Sequence, residues 1–256
     1  MKTFEFLKIK FSDFKSNKID ILLKKNFLVF PAAPALSSMK INSNYHKALQ
    51  NADFALLDSG LLVLLFNIFR GTNLKKFSGY KFLYLFLRRR KTRNEKILLI
   101  NPDFKSQKNN INFIRKFIKE KNIYSYIAPQ YNSKKINDRK LLTCINLIQP
   151  KNILINLGGG TQEILGFFLK QKLRYKLNII CTGAAISFMT KDQAPINVFL
   201  DKIYLGWLTR IIFNPKIYLP RYLKALKLII IFLKKKIMIK NKILMKKLEK
   251  FFLNRI

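Results

Sequence analysis

Two short stretches of this chain hold residues whose type and spacing suit chemistry. The first is Leu57-Asp58-Ser59-Gly60, which follows the apolar run Phe54–Leu57 and precedes a strongly apolar segment. A carboxylate between a short strand and a helix can cap that helix. It can also act as a general base at the edge of a pocket, and the two roles are compatible. The second is NILINLGGGTQEILG, from Asn152 to Gly166. Its apolar run Ile153–Leu157 leads into Gly158, Gly159 and Gly160, and Thr161 can then open a helix. A strand, a glycine turn and a helix together present backbone N–H groups to an anion. No side chain crowds such a turn, so a phosphate can approach the backbone closely. Gln162 and Glu163 fall on the first helical turn, where polar side chains face any ligand held there. The spacing is neither the dinucleotide fingerprint nor a Walker A loop. A tight strand-to-helix turn without a ligand would use the same triplet.

The elements that must position these groups alternate along the chain. Short apolar strands are expected at Phe27–Phe30, Phe54–Leu57, Lys96–Ile100, Ile123–Ile127, Ile153–Leu157 and Asn178–Cys181. Between them lie the Pro31–Pro34 turn and helices at about Tyr45–Asn51, Leu61–Phe69, Gly79–Leu87, Ile111–Glu120, Arg139–Ile148 and from Thr161 onward. The Leu61–Phe69 helix is apolar on all sides and should be buried. This alternation predicts an α/β fold, a mainly parallel Rossmann-like sheet flanked by helices. The loops Pro31–Pro34, Asp58–Gly60, Gly158–Glu163 and Thr182–Ala185 should then cluster at the carboxyl ends of the strands, where such sheets bind ligands.

Composition narrows the function classes. The 256 residues carry 50 Lys and Arg against 13 Asp and Glu, a formal net charge of +37. A surface this basic favours polyanions, anionic head groups or phosphorylated substrates. Heavy use of Lys, Ile, Asn and Phe is also what an AT-rich genome produces. His46 is the only histidine, and without a Cys/His cluster neither a zinc-type site nor a cofactor is expected. Cys144 and Cys181 sit among apolar residues and read as core residues, not a disulfide. Met1–Ile21 lacks the continuous apolar core of a signal peptide, and the longest apolar runs are far short of the roughly 20 residues of a spanning helix.

The chain divides into an α/β core, residues 1–191, and a basic helical appendage, residues 192–256, which holds only three acidic residues, Asp192, Asp201 and Glu249. From Lys224 onward ten Lys and one Arg are set against one Glu. Leu226, Ile229, Ile230 and Leu233 fall at helical spacing, and Ile237, Leu244, Leu248, Phe251 and Phe252 extend the apolar face. A basic amphipathic helix of this kind suits a membrane surface, where each cation near an anionic leaflet contributes roughly 1 kcal/mol. A helix packed on the core and a nucleic-acid-binding tail are the alternatives. No recognisable nucleic-acid-binding motif supports the last.

Over about Phe27 to Lys224 the chain resembles the bacterial WecG/TagA/CpsF glycosyltransferases. The resemblance rests on LDSG, on LGGGTQE, on TGAAISF at Thr182–Phe188, on Gln193-Ala194-Pro195, and on YLGWLTRIIFNPKIYLPRYL at Tyr204–Leu223. It implies an inverting, metal-independent hexosyltransferase of surface polysaccharide biosynthesis, in which an N-acetylmannosamine-type sugar passes from a nucleoside-diphosphate donor, UDP-linked, to an undecaprenyl-diphosphate-linked acceptor. It implies a cytoplasmic protein, peripheral on the inner face of the cell membrane. Residue by residue, it makes Asp58 the base, puts Gln162 and Glu163 near the donor sugar with Gly158–Gly160, and assigns Arg210 and Arg221 to the diphosphate. The chain departs from the family in two places. Pro31–Pro34 stands where members often carry Thr-x-Asn, and Tyr80-Lys81 stands where they often carry an acidic residue.

Overall fold

The computed structural model describes residues 2–14, 18–90, 94–132, 134–183, 185–190, 192 and 204–233. The Gln193–Pro195 block and the tail beyond 233 lie outside these residues. The chain opens with a hairpin the sequence reading did not anticipate, β1 (Lys2–Phe6) and β2 (Ile9–Asp13). Leu7 and Lys8 turn it with φ of 52° and 60°, the left-handed pair of a tight primed turn. His46 anchors that turn. It is fully buried, its Nε2 donates to the Leu7 carbonyl at 2.8 Å, and its Nδ1 accepts from the Asn42 N–H at 3.1 Å. The lone histidine is thus a structural pin.

The helices and strands then alternate: α1 (Ile19–Leu22), β3 (Phe27–Val29), α2 (Ala33–Ser37), α3 (Asn44–Gln50), β4 (Phe54–Leu56), α4 (Gly60–Arg70), α5 (Gly79–Arg90), β5 (Ile97–Asn101), α6 (Phe104–Ile114), β6 (Ile123–Ile127), α7 (Arg139–Ile148), β7 (Asn152–Ile155), α8 (Thr161–Lys172), β8 (Asn178–Cys181) and α9 (Ala185–Met189). Two expected spans differ from the structure. Pro34 does not close a turn but lies in the first turn of α2, which tolerates its missing N–H. The helix expected at Ile111–Glu120 is α6, which begins earlier because Asp103 accepts from the Ser106 N–H at 2.7 Å and caps it, and which ends at Ile114, so only its last turn falls in the expected span.

The eight strands form one sheet in the order β1-β2-β4-β3-β8-β7-β5-β6, parallel except for the opening hairpin. Strands covered on both faces read as unbroken apolar runs, and β5 shows why. Leu98 and Ile100 enter one hydrophobic layer, Ile97 and Leu99 the other. The first layer is covered by α2, α3, α4, α7 and α8, the second by α1, α5, α6 and α9. The apolar helix α4 buries Leu61, Leu62, Val63, Leu65 and Phe66, but its last turn emerges and Ile68 is 64% exposed. Burial on all sides therefore holds only for its first half. Cys144 and Cys181 are both free thiols.

The C-terminal part forms α10 (Gly206–Phe213), α11 (Pro215–Ala225) and a helical segment over 227–233. Asn214 caps α11 by accepting from Ile217 N–H at 3.3 Å, and Pro215 occupies the first turn. Tyr222, Ala225, Leu228 and Phe232 are buried in the first hydrophobic layer, with α11 lying on α2. Phe232 stacks on Phe6 at 4.9 Å and meets the edge of Phe66 at 4.9 Å. The described start of the basic tail is thus packed on the core, and its Lys224 and Lys227 remain exposed. Gly60 explains how closely this part approaches. A Cβ there would stand 2.6 Å from the Tyr204 carbonyl oxygen.

Candidate active site

The expected loops do meet. A crevice of about 510 Å³ runs along the carboxyl ends of β3, β4, β5, β7 and β8, and α10 and α11 wall its other side. It lies where the chain reverses its direction of travel across the sheet, from β3 outward to β4 and then back across to β5. Ligands bind open α/β sheets at such a point.

Asp58 is half-buried on the β4 side of the crevice. It is not the cap of the helix that follows. Ser59 takes that position, its hydroxyl accepting from the Leu62 N–H at 3.3 Å. The Asp58 Oδ1 accepts instead from Gly79 N–H at 2.9 Å. Gly79 is the first residue of α5, so the carboxylate sits against a helix N-terminus, where negative charge is favoured. The Gly79 N–H thereby aims the Asp58 carboxylate.

The glycine turn supplies the adjoining stretch of wall. Gly160 has φ +96°, a conformation that an L side chain adopts only under strain. Gly158 and Gly159 serve a different purpose. A Cβ on Gly158 would meet nothing within 4 Å, and one on Gly159 only the Ala35 Cβ at 3.9 Å. Their lack of side chains leaves open space on the crevice wall.

Gln162 and Glu163 are each 1% exposed, and they tie the turns together from beneath. The Glu163 carboxylate accepts from Gly160 N–H at 2.7 Å and from the Gln162 amide at 2.9 Å. The Gln162 Oε1 accepts from Gly183 N–H at 3.0 Å. A buried chain of hydrogen bonds thus links the turn after β7 to the turn after β8. Burial pushes the Glu163 carboxyl up to about 7, although its hydrogen bonds to Gln162 and Gly160 pull the other way. Both side chains line the crevice and also brace the turn.

The helical wall carries Arg210 and Arg221, both lining the crevice with Trp207, Tyr218 and Tyr222. The Arg210 guanidinium lies over the Phe188 ring at 4.6 Å. Arg221 is exposed and lies over the Tyr218 ring at 5.9 Å. Lys76 adds a further cation to the lining.

Several lining residues escaped the sequence reading. Thr182 is 4% exposed, and among the described residues its hydroxyl finds no hydrogen-bond partner; the same holds for the Asn156 Oδ1 and the Trp207 indole N–H. Asn156 is oriented by a polar network, its amide donating to Asn101 Oδ1 at 3.2 Å while Asn110 donates to the same oxygen at 2.7 Å. Orphaned polar atoms are rare in protein interiors, and three of them border one crevice. Thr182, Trp207 and Tyr222 stood inside the motif blocks, so their position was a usable signal. Asn156 gave none, because one amide at the end of an apolar strand looks like any other.

A family model for glycosyl transferases of the WecG/TagA/CpsF type matches residues 5–242 of the 256. The chain belongs to this family. No curated protein matches it. Membership makes it a glycosyltransferase, with a sugar donor and an acceptor as its substrates. Both the β7 turn and the α10–α11 wall fall within the matched residues. Among the described residues there is no group of three or more His, Cys, Asp or Glu that could hold a metal, and no helix is long and apolar enough to cross a membrane.

Proposed function

We propose that the chain transfers an N-acetylmannosamine-type sugar from a UDP-linked donor to a polyprenyl-diphosphate-linked acceptor, with inversion and without a metal, in surface polysaccharide assembly. The observation that carries this reading is the convergence of a carboxylate, an open glycine turn and two arginines on one crevice of a family glycosyltransferase. In the proposed reaction Asp58 takes the proton of the acceptor hydroxyl. The hydroxyl oxygen forms its bond to the anomeric carbon as the bond to the diphosphate oxygen breaks, and the electron pair leaves with the nucleoside diphosphate.

The departing charge needs more than the turn. A helix N-terminus contributes roughly 0.3–1 kcal/mol to anion binding, whereas each charge-assisted hydrogen bond contributes about 1.5–3 kcal/mol. Arg210 and Arg221 supply such bonds without a carboxylate-bound cation. Of the other carboxylates in the lining, Glu163 is committed to the turn, and Asp192 accepts from Asn109 and Thr190.

The polyprenyl acceptor resides in a membrane, and the surface beside the crevice suits one. Ile212, Phe213, Ile217, Leu223 and Ile230 are each about half exposed or more, with Lys216, Lys224 and Lys227 among them. Peripheral attachment at the inner face of the cell membrane follows in this reading. The test is a screen of nucleotide sugars with a short-chain lipid-diphosphate acceptor, with and without chelator. Transfer from UDP–N-acetylmannosamine that survives EDTA is the expected outcome. Loss with EDTA and rescue by magnesium or manganese contradicts the metal-independent step.

A further inference from the structure

Where β5, β7 and β8 run into the crevice, a row of uncharged polar side chains stands at their ends. Ile100 of β5 pairs with Ile155 of β7, and Leu154 of β7 pairs with Ile180 of β8. Carried to the strand ends, this register sets Asn101, Asn156 and Thr182 side by side. Each follows by two residues a member of the second hydrophobic layer, Leu99, Leu154 or Ile180, so the three share one face of the sheet. Asn101 is saturated by the protein. Its amide nitrogen donates to the Ser125 hydroxyl at 3.0 Å and to the Leu99 carbonyl at 3.4 Å, and its oxygen accepts from Asn110 at 2.7 Å. The Asn156 amide nitrogen donates to that same oxygen at 3.2 Å, which turns the Asn156 Oδ1 away from Asn101. Among the described residues neither this oxygen nor the buried Thr182 hydroxyl finds a partner, and both residues line the crevice. Thr182 also stands close to the proposed base. A Cβ on Gly79 would be 3.3 Å from the Thr182 Cβ, and the Gly79 N–H is the one held by Asp58 at 2.9 Å.

We propose that Asn156 and Thr182 form the subsite for the transferred sugar, binding its uncharged O–H or N–H groups between Asp58 and the diphosphate. The inference rests on the reading of the chain as a nucleotide-sugar transferase with Asp58 as its base. A buried polar atom left unpaired costs free energy that a ligand can recover. The type of atom selects the ligand. The Asn156 Oδ1 only accepts, and a hydroxyl both donates and accepts. A phosphate, whose oxygens are acceptors, is repelled by the first, whereas a sugar hydroxyl or acetamido N–H satisfies it. Position selects the sugar over the nucleoside. The acceptor hydroxyl that Asp58 deprotonates attacks the anomeric carbon, so the transferred sugar must lie beside the base, and the nucleoside lies beyond the diphosphate.

The test is calorimetric titration of the full-length protein with UDP–N-acetylmannosamine and with UDP, beside thermal melting of the same preparations. The variants are Thr182→Val, which removes the hydroxyl at nearly constant shape, Thr182→Ser, which restores it, and Asn156→Ala. Asn110 still donates to Asn101 in the last of these, so it creates no new unpaired oxygen there. We expect Thr182→Val and Asn156→Ala each to weaken UDP–N-acetylmannosamine about fivefold, with UDP affinity unchanged and Thr182→Ser close to the parent. Thr182→Val should melt no lower than the parent, because it deletes an unpaired buried hydroxyl. Unchanged UDP–N-acetylmannosamine affinity in either folded variant overturns the inference and leaves the transferase reading standing. So does an equal loss for UDP, or a lower melting temperature in Thr182→Val, either of which marks a merely structural role. A parent chain that binds UDP but not UDP–N-acetylmannosamine, or neither, overturns the proposed donor and this inference together.

Discussion

On the sheet side of the crevice the polar groups are tied to backbone amides. Asp58 holds Gly79 N–H, Glu163 holds Gly160 N–H, and Gln162 holds Gly183 N–H. On the helical side Arg210 lies on one ring, Phe188, and Arg221 on another, Tyr218. Gln162 and Glu163 are buried, while Arg221 is exposed. The contrast assigns different tasks to the two walls. Backbone-tied groups cannot shift without moving strands, so the sheet wall suits the reacting atoms, whose geometry must hold to a fraction of an ångström. Stacked cations on helices can adjust, which suits gripping a charged leaving group.

The comparison can be broken most severely at Asp58. Asp58→Asn keeps an oxygen to accept from Gly79 N–H but removes the base. Transfer should fall by about 10²- to 10⁴-fold, with the melting temperature and UDP affinity close to those of the unsubstituted protein. Near-normal turnover at saturating donor would remove Asp58 from the role of base.

Glu163 tests whether the sheet wall depends on a buried charge. Its carboxyl is raised from 4.5 to about 7 by burial. The folded state therefore holds the proton more tightly than the unfolded chain. The favourable contribution is full below pH 4.5 and is lost as the pH rises to about 7, a change of order 3 kcal/mol. The stability of the protein relative to its Glu163→Gln variant should fall across that window in denaturant titrations. A difference independent of pH would mean that the carboxyl titrates normally.

A smaller effect separates the glycines of the turn. Gly160→Val should destabilise the fold by about 1–3 kcal/mol, because valine would be forced to positive φ. A Gly160→Val protein as stable as the parent would show that the backbone there is free to rearrange.

The smallest effect lies at the outer surface of the helical wall. Ala225, Leu228 and Phe232 are buried, so removal of the basic tail should begin after Leu233. The shortened chain loses Lys234 to Ile256 and should float less completely with anionic liposomes, most clearly at low salt, since screening acts within about 8–10 Å near physiological ionic strength. Equal flotation of the shortened and full-length chains would assign membrane attachment to the described apolar surface alone. Tight binding of nucleic acid at physiological salt, without binding to liposomes, would contradict the membrane reading.

Most of the sheet was legible because buried parallel strands are unbroken apolar runs, as in Ile97–Ile100 and Ile153–Leu157. The opening hairpin was not, since Lys2–Asp13 mixes charge with phenylalanine and its turn uses Leu7 and Lys8, not the Asn-Gly pair that marks such turns. The site was legible in outline. Asp58, the glycine turn and the arginines were named from residue type and resemblance, and they meet in one crevice. The division of labour was hidden. Only the three-dimensional structure shows that Ser59 caps α4 while Asp58 serves α5, that Gln162 and Glu163 brace the turns, and that Thr182 borders the crevice. Contacts between residues far apart in the chain, such as Gly183 with Gln162, leave no local pattern to read.

The central claim is that the open space beside Gly158 and Gly159 seats the diphosphate of the donor. Gly159→Val tests it most directly, because its Cβ would meet only the Ala35 Cβ at 3.9 Å and the backbone there needs no positive φ. Thermal melting and calorimetric UDP titration would be run on the same preparations of the parent and the variant. The account predicts matching melting temperatures and at least about a tenfold loss of UDP affinity, the valine methyl groups filling space that a phosphate needs and keeping it from the turn's N–H groups. A folded Gly159→Val protein that binds UDP as tightly as the parent would contradict it and leave the glycine triplet as a tight turn and nothing more.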